Sequence, residues 1–135
     1  MARSLASTIQ AANAALLVAG DLAAVSEFFT PDYVAHITDR DQKGGHAWVR
    51  RYLRMIRRAF PDVQVEVEVL VQGKQRVAWQ RTLRGTQRGD FAGFPATGKR
   101  IVWRDMITSQ FRDARFAEDW VVTDLAERLL RARKR

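Results

Sequence analysis

The amino-acid sequence predicts an α+β domain, in which a curved antiparallel sheet forms a cone closed by N-terminal helices and one long helix. Three observations carry that expectation. Apolar residues recur at helical spacing up to Phe60, the period switches from 3.6 to 2 after Pro61, and alternating segments separated by turn residues then run almost to the end. A chain of 135 residues fits one domain, able to bury roughly two thirds of the surface its unfolded form exposes without a metal or disulfide staple. Residues 1–135 are therefore read as a single domain, with 126–135 as a basic C-terminal tail.

Leu5, Ile9, Ala12 and Leu16 share one helical face and open the chain with an amphipathic helix. Gln10 and Asn13 interrupt the apolar run that a secretory signal needs. Gly20 supplies a C-cap, and Asp21 an N-cap for a short second helix, "LAAVSEFF", stopped by Thr30 and Pro31. "YVAHIT" reads as a short strand and residues 39–45, "DRDQKGG", as a polar loop. In the long helix that follows, Trp48, Tyr52, Met55, Ile56, Ala59 and Phe60 form one apolar stripe, and Pro61 ends it.

"DVQVEVEVLV" then sets Val63, Val65, Val67, Val69 and Val71 on one face, with Gln64, Glu66 and Glu68 on a wet one. "GKQ" turns the chain into "RVAWQRTLRGT". A glycine-rich loop, "RGDFAGFPATGK", leads to a third long strand, "RIVWRDMITSQF". "RDA" turns it into a fourth, "RFAEDWVV". A bent sheet covered by helices leaves a mouth that can hold a small apolar molecule.

Composition narrows the chemistry. Cysteine is absent, which excludes a thiolate nucleophile, a disulfide framework and a cysteine-ligated metal. No apolar run approaches the ~20 residues of a membrane span, so a membrane partner is not expected and a cytoplasmic location is. The formal net charge of +8 raises nucleic acid as a partner. However, Arg50, Arg51, Arg54, Arg57 and Arg58 fall on the solvated face of the long helix. Arg128, Arg131, Arg133, Lys134 and Arg135 crowd the tail, and no nucleic-acid-binding motif accompanies them, so no nucleic-acid partner is expected. His36 and His46 lack metal-ligand spacing, and no metal is expected. The Walker spacing fails in the glycine-rich loop, where Arg100 follows Lys99.

Asp119 is the residue that asks for an explanation, because it stands among Phe116, Ala117, Trp120, Val121 and Val122. An unpaired buried charge is costly, and apolar surroundings raise a carboxylate's pKa toward the range of general acid–base work. The alternative is a partly exposed carboxylate paired with one of the many arginines. Asp105 lies on the neighbouring strand. A three-residue turn with a bulge places Asp119 on the face of Asp105, Trp103 and Ile107, whereas a plain two-residue turn places it with Met106 and Thr108. His36, Trp79 and Arg81 are candidate donors to a developing oxyanion. Tyr33, Trp48, Tyr52, Met55, Phe91, Phe94 and Trp103 are candidate cavity walls, with Phe91 and Phe94 turned inward from the loop at the rim.

"FTPDYVAHI", "AFPDVQVEVEVLV", "LRGTQRGDFAGFPATGKRI" and "RFAEDW", at these separations, resemble the SnoaL-like polyketide cyclases of the nuclear transport factor 2-like superfamily. The resemblance covers about residues 10–125. It implies an α+β cone with a helix across its mouth, often dimeric through the outer sheet, hence a homodimer here. It also implies an intramolecular aldol closure without cofactor or metal on a hydrophobic, polyketide-derived substrate, with Asp119 in the position of the acid–base aspartate. Asp105 would tune Asp119, and His36 would assist as a third catalytic residue. The chain departs from the family pattern at "DA" for the usual "DG" turn, "PATG" for "PPTG", and Ile107 where an acid is common. A binding protein, or a hydrolase or isomerase of epoxide hydrolase-like or ketosteroid isomerase-like type, is the alternative on the same fold.

Overall fold

The computed structural model describes residues 4–38 and 40–133. The chain opens with α1 (Leu5–Asn13), whose first turn is capped by Ser4, the side chain accepting from the Ser7 N–H. A π-helical turn at Ala14–Val18 continues it, and Gly20, at φ +72°, takes the chain out of it. The expected second helix is shorter and split, into a 3₁₀ turn at Leu22–Ala24 and one helical turn, α2 (Val25–Phe28), and the Asp21 side chain does not cap it. β1 (Phe29–Ile37) starts earlier than expected, and β2 (Arg40–Gln42) occupies part of the expected loop. Then follow α3 (Gly45–Ala59), β3 (Gln64–Gln72), β4 (Arg76–Thr86), β5 (Arg100–Arg112), β6 (Arg115–Thr123) and α4 (Leu125–Arg133).

The six strands form one curved, unclosed sheet in the order β2-β1-β6-β5-β4-β3. It is antiparallel except for β1 and β6, which run parallel. The expectation of a purely antiparallel sheet is corrected at that one pair. Buried residues alternate along β5 as Ile101, Trp103, Asp105, Ile107, Ser109 and Phe111, so one face of the sheet meets the helices.

The stripe of α3 that enters the core is Val49, Leu53, Ile56 and Ala59, with Trp48 and Tyr52 half-buried on its flank. Met55 is exposed, one step off that stripe. On the basic face, Arg57 donates to the carbonyls of Leu17 and Val18 and so satisfies the end of the first helical stretch. Alternation along β3 breaks at Leu70, where the pairing with β4 shifts by one residue and leaves Val71 exposed.

Residues 125–133, expected mostly as tail, form a helix because Leu125 and Leu129 are buried against the sheet. Arg128 and Arg131 pair with Asp124 and Glu127 one turn back; Lys134 and Arg135 lie outside the described residues. The glycine-rich loop is a structural lock. Buried Gln87 accepts from Thr97 Oγ and donates to the Phe94 carbonyl. A Cβ at Gly85 or Gly89 would stand 2.9 Å from Phe60 Cβ or the Arg58 carbonyl, so these glycines let the loop close on the end of α3.

Candidate functional site

The β5–β6 hairpin decides which carboxylate faces the core. Asp113 and Ala114, both at positive φ, form a two-residue turn of type I′. Arg112 pairs with Arg115 and Phe111 with Phe116. Gln110 then pairs with Glu118, so Ala117 is an extra residue on β6. That bulge reverses the inward set, and Asp119 lands opposite Ser109 on the face of Asp105, Ile107 and Trp103. The bulge arises with a two-residue turn, a combination of the two alternatives weighed from sequence.

Asp119 is 6% exposed. The Tyr33 hydroxyl donates to its Oδ2 at 2.6 Å, and the Ser109 hydroxyl donates to its Oδ1 at 2.5 Å. Trp79 Nε1 in turn donates to Ser109 Oγ at 2.9 Å. Burial pushes the Asp119 carboxyl up to about 6, although the Ser109 and Tyr33 hydrogen bonds and the nearby Arg81 charge pull it back. This is the range in which a carboxylate can both take and return a proton near neutral pH.

Arg81 reaches the same space from β4. Its Nε donates to Asp105 Oδ2 and its Nη1 to Asn13 Oδ1, each at 2.8 Å, and its guanidinium lies 5.6 Å from the centre of the Trp79 ring. Burial works against the Arg81 charge, but the Asp105 carboxylate, the Tyr52 phenol and Asp119 outweigh it and hold its pKa above the usual value. Asn13 ends α1 where the π-helical turn begins, and its amide nitrogen is tied to the Ile9 carbonyl, which leaves its oxygen for Arg81. Burial pushes the Tyr52 phenol up to about 12, so it remains a neutral donor.

These groups wall a cavity between the sheet and helices α1 and α3. It measures about 80 Å³ to the centre of a water-sized sphere, room for roughly half a dozen such centres. Asp119, Arg81, Asn13, Tyr33 and Tyr52 supply its polar groups; Trp48, Trp79, Leu16, Leu53, Ile107 and Phe116 are among its apolar ones.

The fold brings together Asp119, Tyr33, Trp48, Tyr52, Trp79 and Arg81 from the sequence-derived set. Others stand elsewhere. Asp105 is buried, accepts from Arg81, and is not among the residues lining the cavity. His36 is on the opposite face of the sheet, bonded to Asp41 and Glu118 and stacked on Trp120, because Ala35 is the β1 residue paired with Asp119. Trp79 faces the cavity, but its indole N–H, the one donor of its side chain, is committed to Ser109, so the ring is no oxyanion donor. Trp103 is core, packed on Phe60, and Phe91 is packed on Phe60 from the loop, its backbone bridged to Phe94. Neither phenylalanine lines the cavity, and exposed Met55 does not either.

Asn13 and Ser109 were not anticipated. The signal for each was present but faint: Asn13 is four residues beyond Ile9 on an apolar helix face, and Ser109 shares the inward row of Trp103 and Ile107. Among the described residues no cluster of three or more histidine or acidic side chains could hold a metal ion, and no helix is long and apolar enough to cross a membrane.

The family model for SnoaL-like polyketide cyclases matches residues 7–131. AclR of Streptomyces galilaeus, a candidate hydroxylase, is 27% identical over 98% of this chain and 99% of its own, with a TM-score of 0.79. IdmH of Streptomyces antibioticus, a candidate polyketide cyclase, is 26% identical over 98% of this chain and 100% of its own, with a TM-score of 0.78. A candidate polyketide cyclase of Acidithiobacillus ferrooxidans matches in fold at a TM-score of 0.83, with 21% identity and 99% of both chains covered. No curated protein matches the sequence.

Proposed function

Because the chain belongs to the SnoaL-like polyketide cyclase family, we propose that it is an acid–base enzyme that closes a ring on a hydrophobic, polyketide-derived carbonyl compound by an intramolecular aldol step. The observation that carries this reading is the sheltered Asp119 carboxylate, raised to about 6 on the wall of a largely apolar cavity. Asp119 removes a proton from carbon next to a carbonyl. The enolate that forms needs a donor at its oxygen, and Arg81 serves because Asp105 and Asn13 fix its position while N–H groups beyond those two bonds remain. Tyr52, neutral and on the same wall, is the second donor. The reaction is carried by the protein's own side chains, without metal or cofactor.

The test needs no natural substrate. Deuterium uptake from heavy water at the acidic carbon of an aryl β-diketone reports proton abstraction alone. The wild type is expected to accelerate it, and Asp119→Asn to lose the acceleration by roughly 10²–10⁴-fold while still binding the diketone. Unchanged exchange in Asp119→Asn contradicts the proposal. The cavity's small volume favours one further reading, an isomerase or hydrolase of a compact substrate.

The proposal includes a homodimer through the outer sheet face. Met106 and Val122, directly opposed on β5 and β6, are 50% and 65% exposed, and Trp120 and Leu70 border the same shallow depression. Sedimentation should give twice the chain mass, and Met106→Glu with Val122→Lys should give the monomer.

A further inference from the structure

We propose that Tyr33 is a second catalytic residue, the relay through which Asp119 returns its proton to the newly formed alkoxide. The inference rests on the acid–base reading above. It begins with the difference between the two hydroxyls that grip the carboxylate. An indole nitrogen can only donate, so Ser109 Oγ must accept from Trp79 and turn its own proton onto Asp119 Oδ1. That rotor has one setting. The Tyr33 oxygen is also fixed in place, by a ring packed edge-on against Phe29 at 4.6 Å, but among the described residues its hydroxyl makes a single hydrogen bond, to Oδ2. Tyr33 lines the cavity, so its proton can turn from the carboxylate toward a bound molecule.

The relay answers a geometric demand. In an aldol closure the atom that loses a proton is carbon and the atom that gains one is a different, oxygen atom. A carboxylate gripped at both oxygens cannot swing between them, and the phenol extends its reach by the 2.6 Å of their hydrogen bond. The steps balance. The carbon–hydrogen bond breaks toward Asp119, leaving its electron pair as the enolate and a new O–H on the carboxyl. The enolate carbon bonds to the carbonyl carbon, and the carbonyl π pair becomes the alkoxide. Tyr33 then gives its proton to the alkoxide while the Asp119 O–H turns about its C–O bond and reprotonates the phenol. Asp119 ends ionised and Tyr33 neutral. Burial and the adjacent Asp119 charge push the Tyr33 phenol well above its usual pKa, so a free phenolate does not accumulate and the two transfers occur together.

Two probes separate this role from mere support of Asp119: deuterium uptake by an aryl β-diketone, and retro-aldol cleavage of an aryl β-hydroxyketone, which must draw the hydroxyl proton along the same route in reverse. Tyr33→Phe is expected to lose cleavage by roughly 100-fold more than it loses exchange. Retained exchange also certifies that the variant is folded. Its exchange profile should begin at higher pH, because the Tyr33 bond is one of the contacts holding the Asp119 pKa down. Equal loss of both activities, or cleavage that survives, overturns the relay. A wild type inert toward both probes, or an Asp119→Asn variant as active as the wild type, contradicts the acid–base reading itself and the relay with it.

Discussion

Glu118 and Asp119 are neighbours on β6, yet they belong to different worlds. Glu118 lies on the outer face, where its carboxylate meets His36 at 2.5 Å and both remain partly exposed. Asp119 lies on the inner face, buried and gripped by two hydroxyls. Each side chain is an ordinary acid, and what separates them is the side of the sheet, set by the one extra residue at Ala117. The outer cluster is an ion network that solvent can screen, whereas the inner one keeps a carboxylate at a pKa suited to proton transfer.

The sharpest way to break the comparison is to remove each acid in turn. Asp119→Asn should abolish proton exchange as described, whereas Glu118→Gln should leave it within about twofold, measured by the same deuterium uptake; comparable losses would erase the distinction between the faces. The two cationic partners should differ nearly as much in stability. Arg81→Met leaves the buried Asp105 charge without its partner, which costs about 3–5 kcal/mol, while His36→Gln on the partly exposed outer face should be nearly silent in urea unfolding at pH 7.

Stability against pH gives a third contrast. The folded pKa of Asp119, about 6, lies above its unfolded value near 3.8. The folded state therefore holds the proton more firmly, and stability falls as pH rises between those two values. The shift corresponds to about 3 kcal/mol by pH 7, and Asp119→Asn should flatten that limb. The Asp41 and Glu118 hydrogen bonds raise the His36 pKa, so His36 contributes stability that is full below its unfolded value of 6.5 and lost as pH rises through the folded one. Both groups weaken the fold with rising pH, but in separate windows. The smallest effect concerns the turn that carries the bulge. Ala114 sits at φ 61°, where a Cβ is strained, so Ala114→Gly should stabilise by about 1 kcal/mol, read as a raised urea midpoint.

Much of the fold was legible because periodicity reports burial directly. The valines of β3 up to Val69 and the inward row of β5 follow from one-sided contact with the core, whereas the stripe read on α3 is displaced, since Val49 and Leu53 enter the core and Met55 is exposed. Interruptions were harder to read. The bulge at Ala117 carries no residue signal, and without it neither the face of Asp119 nor its opposition to Ser109 can be derived. His36 was misplaced because a strand residue's face depends on its register with the neighbour. A rim loop and a shared strand face point Phe91, Phe94 and Trp103 toward the cavity, but Trp103 packs in the core on Phe60, and the glycine-rich loop folds back on the end of α3. Asn13 and Ser109 are small polar residues whose weight comes only from what they touch, Arg81 in one case and Trp79 with Asp119 in the other.

The most direct measurement is the titration of the Asp119 side-chain carboxyl by carbon-13 NMR, with the resonance assigned by its loss in Asp119→Asn. The account predicts a midpoint of about 6. A midpoint at or below the ordinary 3.8 would mean that the carboxylate is solvated or fully ion-paired, and would contradict the sheltered base on which the proposed chemistry stands.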